Sequence, residues 1–352
     1  MVNYWKFTSA LLAATLSVVS GQQLCNGYSE FCNKSYDELT YVLTHNSYAF
    51  MANPAANQQC SIQAQLADGV RALKLSAVKA PDGSDKMNLC HTSCTILNAG
   101  AAVDTLRNIT AWLKDNPNEV ISIFWNFPNN DFFAPDFEEP YKQSGLIEYS
   151  HVQNVNNMTW PTLGEMIASN KRVVSYMDMN ADQTNYPWMH AEFSYMFETP
   201  YENNNASSFS CVIDRPDDPT DPASMMYGMN HFLYGNLPWG EVTIQIPQSG
   251  SADTTNSEDS LMKQASQCRQ TFGRQPNFLI VDFYNKGQTL QIAAELNNVT
   301  YDTSKELQCD KESAKTSSNT GDTSDVASSF QSLSPLLSFL LFSLASIVLV
   351  SA

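Results

Sequence analysis

The chain is poor in positive charge. Its 352 residues contain 19 Lys and Arg against 36 Asp and Glu, a formal net charge of −17 at pH 7. Because binding to a phosphate backbone requires a positive face, this balance argues against nucleic-acid recognition. It is typical of a solvated extracellular surface. It does not identify a substrate, since one local cation can reverse the potential inside a cleft.

Two other patterns are missing. No linker interrupts the body of the chain, so we expect one domain over residues 22–311. Cys90 and Cys94 have a spacing that metal sites use, but no second cysteine pair lies at a matching interval, which favours a structural bridge over zinc. An even number of cysteines in a secreted chain indicates disulfides, without giving their connectivity. The eight are Cys25, Cys32, Cys60, Cys90, Cys94, Cys211, Cys268 and Cys309.

The beginning of the chain is typical of a secretory signal peptide. Residues 1–21 contain one cation, Lys6, followed by an apolar run and small residues. Glycosylation sequons, which are used only in the secretory pathway, recur in the body of the chain. They begin at Asn33, Asn108, Asn157, Asn205 and Asn298.

The end of the chain is hydrophobic. Residues 332–352 are long enough to span a bilayer, but no Lys or Arg follows them to hold a span in place. The polar Ser/Thr-rich segment 312–331 is predicted to be a disordered stalk. The pattern favours a removed tail and a GPI anchor attached at Asn319 or Gly321. A plain transmembrane tail or a cleaved propeptide is the alternative. We therefore predict the extracellular side of the plasma membrane or the cell wall as the location.

Short apolar runs rich in β-branched and aromatic residues predict strands buried on both faces of a parallel sheet. Helical patterns lie between several of them, at 101–119 and at 162–171, where Thr162 and Glu165 form a capping-box sequence. This alternation predicts an α/β fold, a (β/α) TIM barrel. The predicted strands are 41–45, 70–76, 120–126, 172–178, 242–246 and 278–283.

Polar side chains lie at or just past the ends of these strands, where barrel enzymes place their chemistry. One such residue is often only a turn former, but six together indicate an active site. They are His45, Asn46, Ser76, Asn126, Asp178 and Asp282.

Two histidines in polar surroundings suggest a general base and a general acid. His45 and His91 each follow an apolar run, and Asp282 is a carboxylate in an apolar strand that a histidine proton could satisfy. Arg71 is likewise always charged, and a guanidinium facing a phosphate oxygen would explain it. A salt bridge of Arg71 with an acid such as Asp68 or Asp282 is the alternative.

Five stretches, in this order, resemble the phosphatidylinositol-specific phospholipase C X-domain superfamily, in particular secreted fungal PLC-like phosphodiesterases. They are "LTHNSYAF", "DGVRALKL", "LCHTSC", "WPTLGEMIASNKRVVSYMD" and "NFLIVDFYNKG". The resemblance runs from about Cys25 to Cys309. It implies a distorted TIM barrel of the PLC-like phosphodiesterase type and cleavage of a phosphodiester by two histidines.

The resemblance also implies roles for individual residues. His45 would take the proton from the inositol hydroxyl beside the phosphate, and His91 would protonate the leaving glycerol oxygen. Asp282 would fix the tautomer of His45, and Arg71 would stabilise charge on the phosphoryl oxygens. Because the nucleophile belongs to the substrate, the first product would be a cyclic phosphate.

Two departures from the family pattern limit these implications. Asn46 follows the first histidine as in the calcium-dependent members, but Lys74 stands where those members need an acid, and a lysine repels calcium. We therefore expect no cofactor and a metal-independent site in which Asn46, Lys74 and Asn126 contact substrate. Asp178 stands where bacterial members have a cation; it could accept hydrogen bonds from sugar hydroxyls or indicate another head group.

The sequence thus predicts a monomeric, cell-surface phosphoric diester hydrolase that acts on a phospholipid or glycophospholipid at a membrane. The main alternative is a non-catalytic, GPI-anchored surface glycoprotein that retains the barrel. A third hypothesis is a metal-dependent glycerophosphodiesterase. That type needs acidic metal ligands after its first strands, and the presence of Lys74 and Ser76 there argues against it.

Overall fold

Most of the apolar runs form strands of one curved sheet. The computed structural model describes residues 23–239 and 242–319, so the predicted signal peptide, the end of the predicted stalk and the hydrophobic tail lie outside it. The strands are β1 Tyr41–Thr44, β2 Ala72–Lys79, β3 Met87–Cys90, β4 Asn98–Ala101, β5 Ile121–Asn126, β6 Val173–Met177, β7 Met189–Ala191, β8 Met196–Glu198, β9 Met226–Asn230, β10 Tyr234–Trp239, β11 Val242–Pro247 and β12 Phe278–Val281.

Helices connect the strands and cover the sheet. They are α1 Ile62–Asp68, α2 Ala102–Asp115, α3 Glu138–Ser144, α4 Leu163–Ala168, α5 Glu192–Tyr195, α6 Ala252–Thr255, α7 Lys263–Phe272, α8 Thr289–Leu296 and α9 Gln308–Asn319. The predicted capping box is present, since Thr162 accepts from the amide of Glu165 and the Glu165 carboxylate accepts from the amide of Thr162. Helix α9 continues past the predicted domain boundary at Lys311, so the first part of the predicted stalk is helical.

The barrel is open at one seam. Its strands are parallel and follow the order β7-β6-β5-β2-β1-β12-β9-β8, and the two ends of this series are not paired with each other in the described residues. The predicted distorted TIM barrel is confirmed. Strand β2 also carries an antiparallel extension, β3 and β4, beyond the barrel.

The predicted strand 242–246 is not a barrel strand. As β11 it pairs antiparallel with β10 in a separate two-stranded hairpin. The reason is visible in its sequence, because apolar and polar residues alternate in "VTIQI", a pattern typical of an antiparallel strand with one wet face.

The sides of the sheet differ in character. Side chains facing the helices, such as Leu73, Ile123 and Val281, belong to the larger apolar core. Those inside the barrel alternate with them and form a second, aromatic-rich core in which Phe124 packs on Phe278 at 4.9 Å between ring centroids. This interior core fills the end of the barrel where the strands begin, and polar side chains take over where the strands end.

All eight cysteines are paired. The disulfides are Cys25–Cys32, Cys60–Cys309, Cys90–Cys94 and Cys211–Cys268. This confirms that Cys90 and Cys94 form a structural bridge, and it indicates an oxidising compartment. None of the helices in residues 23–239 and 242–319 combines the length and hydrophobicity needed to cross a bilayer.

Candidate functional site

A cavity of about 210 Å³ lies at the end of the barrel where the strands terminate. Both predicted histidines line it, although different elements deliver them. His45 follows β1, a barrel strand, whereas His91 follows β3 in the antiparallel extension of β2. The other lining residues are Asn46, Lys74, Ser76, Thr92, Asn126, Pro128, Tyr201, Arg215, Asn230, Phe232 and Gln245.

The imidazole of His45 is held by a carboxylate at one edge and by an aromatic ring on one face. Its Nδ1 lies 3.0 Å from Oδ1 of Asp282, which also accepts a 2.9 Å hydrogen bond from the side-chain amide of Asn57. Phe232 stacks on the ring at 4.2 Å between centroids and an angle of 17°. With Nδ1 donating to the carboxylate, the lone pair of Nε2 is available to accept a proton.

Asn46 lies beside Nε2. Its Nδ2 is 3.3 Å from Nε2 of His45 and donates to Oδ1 of Asn57 at 3.1 Å. The residue has a φ of 43°, in the left-handed region that asparagine tolerates better than most side chains. Asn46 and Asn57 therefore connect His45 and Asp282 in one polar network.

His91 is less accessible to solvent than His45 and is only 7% exposed. Burial, followed by the charge of His45, lowers the pKa of His91 to about 4. Its Nδ1 lies 3.3 Å from the hydroxyl of Thr92. The Cys90–Cys94 disulfide closes a short loop around this histidine.

Polar side chains on neighbouring strands form another wall of the cavity. The hydroxyl of Ser76 lies 2.9 Å from Oδ1 of Asn46 and 2.6 Å from Oδ1 of Asn126. These oxygens and the amide groups attached to them could orient substrate hydroxyls. Asn46 and Asn126 line the cavity, and their predicted contacts with substrate remain predictions.

Asp178 lies at the end of β6, outside the residues that line the cavity. Burial raises the pKa of its carboxyl to about 6, against the lowering effect of Lys74 and Arg215. Its Oδ1 is buried and has no hydrogen-bond partner in the described part of the chain. Its predicted contact with substrate remains a prediction.

The predicted placement of Arg71 is wrong. Arg71 precedes β2, at the opposite end of the barrel from the histidines, and lines a different cavity of about 290 Å³. Its Nε donates to Glu119 at 2.8 Å, and its NH1 donates to the carbonyls of Leu66 and Val70. The salt-bridge alternative is closer to the structure, although Glu119 is the partner in place of Asp68 or Asp282.

Two cations do line the histidine cavity, and the sequence identified one of them. Lys74 lies on the inner face of β2, and Arg215 comes from the segment after β8. Nζ of Lys74 lies 3.0 Å from Oε1 of Glu198, and a guanidinium nitrogen of Arg215 contacts Oε2 of the same carboxylate. The sequence analysis missed Arg215. The one signal that could have drawn attention to it is that basic residues are few in this chain, so each of them is a candidate for binding an anion.

Comparison with known proteins places this chain in a family. The PI-PLC X family model matches residues 31–297. The chain belongs to the PI-PLC X family. Relatives of this PI-PLC X chain occur in the fungus Arthroderma benhamiae. One, named an uncharacterized secreted protein, is 37% identical over 291 residues, which are 79% of this chain and 64% of the relative's length. Another, PI-PLC X domain-containing protein 1, is 31% identical over 309 residues, 85% of this chain and 98% of that protein.

Solved structures agree on the fold. A structure of the phosphatidylinositol-specific phospholipase C from Staphylococcus aureus matches with a TM-score of 0.53 at 13% identity, covering 77% of this chain and 95% of the other. At that identity the likeness establishes the PI-PLC barrel alone. The fold, the disulfides and the secreted relative together support an extracellular PI-PLC-like protein.

The calcium site of eukaryotic PI-PLC X proteins does not fit the residues present here. Calcium prefers a set of carboxylate and carbonyl oxygens. Here Lys74 and Arg215 bring positive charge into the cavity, and Glu198 is engaged with both. Within residues 23–239 and 242–319, no three or more His, Cys, Asp or Glu side chains are grouped so as to hold a metal ion.

Proposed function

We propose that this PI-PLC X chain is a phosphodiesterase that cleaves the head group of a phospholipid or glycophospholipid by general acid-base catalysis. The observation that carries the proposal is that His45, oriented by Asp282, and His91 line one cavity. A base and an acid on two walls of the same cavity can act on opposite sides of a phosphorus atom.

The reaction follows from the two imidazoles. Nε2 of His45 removes the proton of a substrate hydroxyl next to the phosphate, and that oxygen forms a bond to phosphorus. The bond between phosphorus and the alcohol oxygen of the lipid breaks, and His91 supplies the proton that this oxygen takes up. The products are a cyclic phosphodiester and the lipid alcohol. The Asp282 carboxylate stabilises the imidazolium that forms on His45.

The decisive assay measures release of cyclic inositol phosphate from labelled phosphatidylinositol in the presence of a chelator. We expect activity in the wild type and a loss of about 10²- to 10⁴-fold in His45→Ala. His151→Gln is the matched control, because His151 is also largely buried but is not among the cavity residues. Thermal unfolding of each variant reports whether the fold is retained.

Three results would change the proposal. Activity that disappears in chelator would exclude a metal-independent site. Activity of His45→Ala equal to wild type would remove His45 from the mechanism. No cleavage of inositol, glycerol or glycan phosphodiesters by a folded wild type would favour a non-catalytic surface glycoprotein.

The proposed location is the cell surface, through a GPI anchor added at Asn319 or Gly321 when the chain beyond that residue, including the hydrophobic segment 332–352, is removed. The disulfides and the secreted relative support passage through the secretory pathway. We expect a chain truncated before residue 332 to appear in the medium, while the full chain partitions with membranes until a GPI-cleaving enzyme releases it. A full chain that resists release would point to a transmembrane tail.

A further inference from the structure

Lys74 and Arg215 bring two positive charges to one wall of the cavity. These charges take no part in the proton transfers proposed for His45 and His91. Both cations share a single carboxylate, Glu198, which is completely buried. No other acid is within ion-pair distance of either cation in the described residues. Two positive charges therefore meet one negative charge at contact distance, beside a cavity open to substrate.

A second buried acid, Glu192, forms no ion pair with Lys74 or Arg215 in the described residues. Glu192, at the start of α5, is also fully buried, and neither of its carboxyl oxygens has a hydrogen-bond partner among the described residues. Burial disfavours the charged form and raises the pKa of Glu192 well above its usual range, against the lowering effect of Lys74 and Arg215. For Glu198, burial acts in the same direction, but the charges of Lys74 and Arg215 lower its pKa below the usual range.

The structure holds Arg215 in place by its backbone as well. Glu198 and Arg215 form an antiparallel bridge, in which the amide of Glu198 donates to the carbonyl of Arg215 at 2.8 Å. The segment thereby covers the free edge of β8 at the open seam of the barrel. The guanidinium also lies over the ring of Tyr201 at 4.6 Å, and the Cys211–Cys268 disulfide ties the segment to α7.

We propose that Arg215, together with Lys74, binds the non-bridging oxygens of the substrate phosphoryl group. The inference rests on the proposed function, since it concerns the same cavity. The planar guanidinium can donate two parallel hydrogen bonds to two phosphoryl oxygens, and the lysine ammonium adds a point charge. Glu198 is the one carboxylate in ion-pair contact with the two cations among the described residues, and a phosphodiester monoanion would provide a second anionic partner at contact distance. Arg215 thus takes the role that the sequence assigned to Arg71.

Calorimetric titration of the purified protein with inorganic phosphate tests this without any turnover. We expect Arg215→Ala to bind phosphate about 10- to 100-fold more weakly than wild type, the effect of losing one charge-assisted contact. Arg215→Lys should be intermediate, because it keeps the charge but loses the fork. Arg107→Ala is the matched control, since Arg107 is an exposed arginine of α2 paired with Asp104.

The outcomes separate this inference from the proposed function. Equal phosphate affinity in wild type and Arg215→Ala, or no phosphate binding by wild type, would overturn the inference even if the wild type cleaves phosphatidylinositol. Weaker binding in Arg215→Ala with no cleavage of any phosphodiester by wild type would support an anion site and end the proposed function. If Arg215→Ala does not fold, Arg215→Lys decides, and unchanged phosphate affinity in that variant would overturn the inference.

Discussion

His45 and Asp282 lie at the ends of adjacent parallel strands, and Nδ1 of the imidazole is 3.0 Å from Oδ1 of the carboxylate. The pair is 237 positions apart in sequence and is brought together by the register of β1 with β12. The contact fixes which nitrogen of His45 carries the proton. It is therefore the first relationship to test.

Replacing Asp282 by asparagine should reduce kcat by about 10²- to 10⁴-fold. The amide keeps the shape of the carboxylate but removes the negative charge that stabilises the protonated His45. Steady-state kinetics on phosphatidylinositol measure the effect, and the melting temperature reports folding. A folded Asp282→Asn enzyme within twofold of wild type would show that Asp282 has no part in catalysis.

The pH dependence should be governed by His91. Burial and the charge of His45 lower the pKa of His91 to about 4, and a general acid must be protonated to act. Because His45 must be deprotonated to act as the base, kcat/KM should fall about tenfold per pH unit on the alkaline side of the profile, where His45 is already deprotonated and the protonated fraction of His91 continues to decrease. A profile of kcat/KM with no decrease at alkaline pH would contradict the assignment of His91 as the acid.

Buried His190 should make stability fall in acid. Burial lowers the pKa of His190 to about 3, below the usual value of 6.5. As the pH falls from about 6 to 4, the unfolded chain takes up a proton at this residue and the folded protein does not, so stability is lost. Relative to His190→Phe, the wild-type free energy of unfolding should drop by about 1.4 kcal/mol per pH unit, measured by urea unfolding. A difference between the two proteins that does not change with pH would contradict this.

The Cys90–Cys94 disulfide should matter more for activity than for stability. Its loop and that of Cys25–Cys32 are similarly short, with sequence separations of 4 and 7, so removing either should cost about 2 kcal/mol of stability. Of these two loops, only that of Cys90–Cys94 encloses cavity residues, and misplacing His91 by about 1 Å could lower kcat about 100-fold.

The double serine variants at Cys90/Cys94 and at Cys25/Cys32 make this comparison directly. Urea unfolding measures the stability of each variant, and kinetics on phosphatidylinositol measure its activity. Equal activities of the two variants would show that the bridge does not hold His91 for catalysis.

The sequence was sufficient to predict the barrel fold and five of the eight strands in its parallel series, and it singled out the two histidines that line the cavity. Runs such as 121–126 and 278–281 are mostly apolar because both faces of a parallel strand are buried, and this signal can be seen in a single sequence. The three-residue strands β7 and β8 were missed, since so short a segment has no periodicity to recognise.

The wrong placement of Arg71 also follows from a missing periodicity, here in a strand that is buried on both faces. In a strand buried on both faces, hydrophobicity does not show which residues face the interior of the barrel. The structure shows that Lys74 and Ser76 share the inner face of β2, whereas Arg71 precedes the strand and contacts Glu119. Two polar residues at alternate positions of an apolar strand were the usable signal. Arg215 lies in an irregular polar loop, where no pattern of this kind exists.

Leaving-group dependence tests the central claim, that His45 and His91 act on opposite sides of one phosphorus atom, most directly. On a substrate whose leaving group is a nitrophenol, which departs without a proton, His91→Ala should recover to within about tenfold of wild type. His45→Ala should remain about 10²- to 10⁴-fold impaired on both substrates. Equal impairment of the two variants on both substrates, or recovery of His45→Ala instead, would contradict the account.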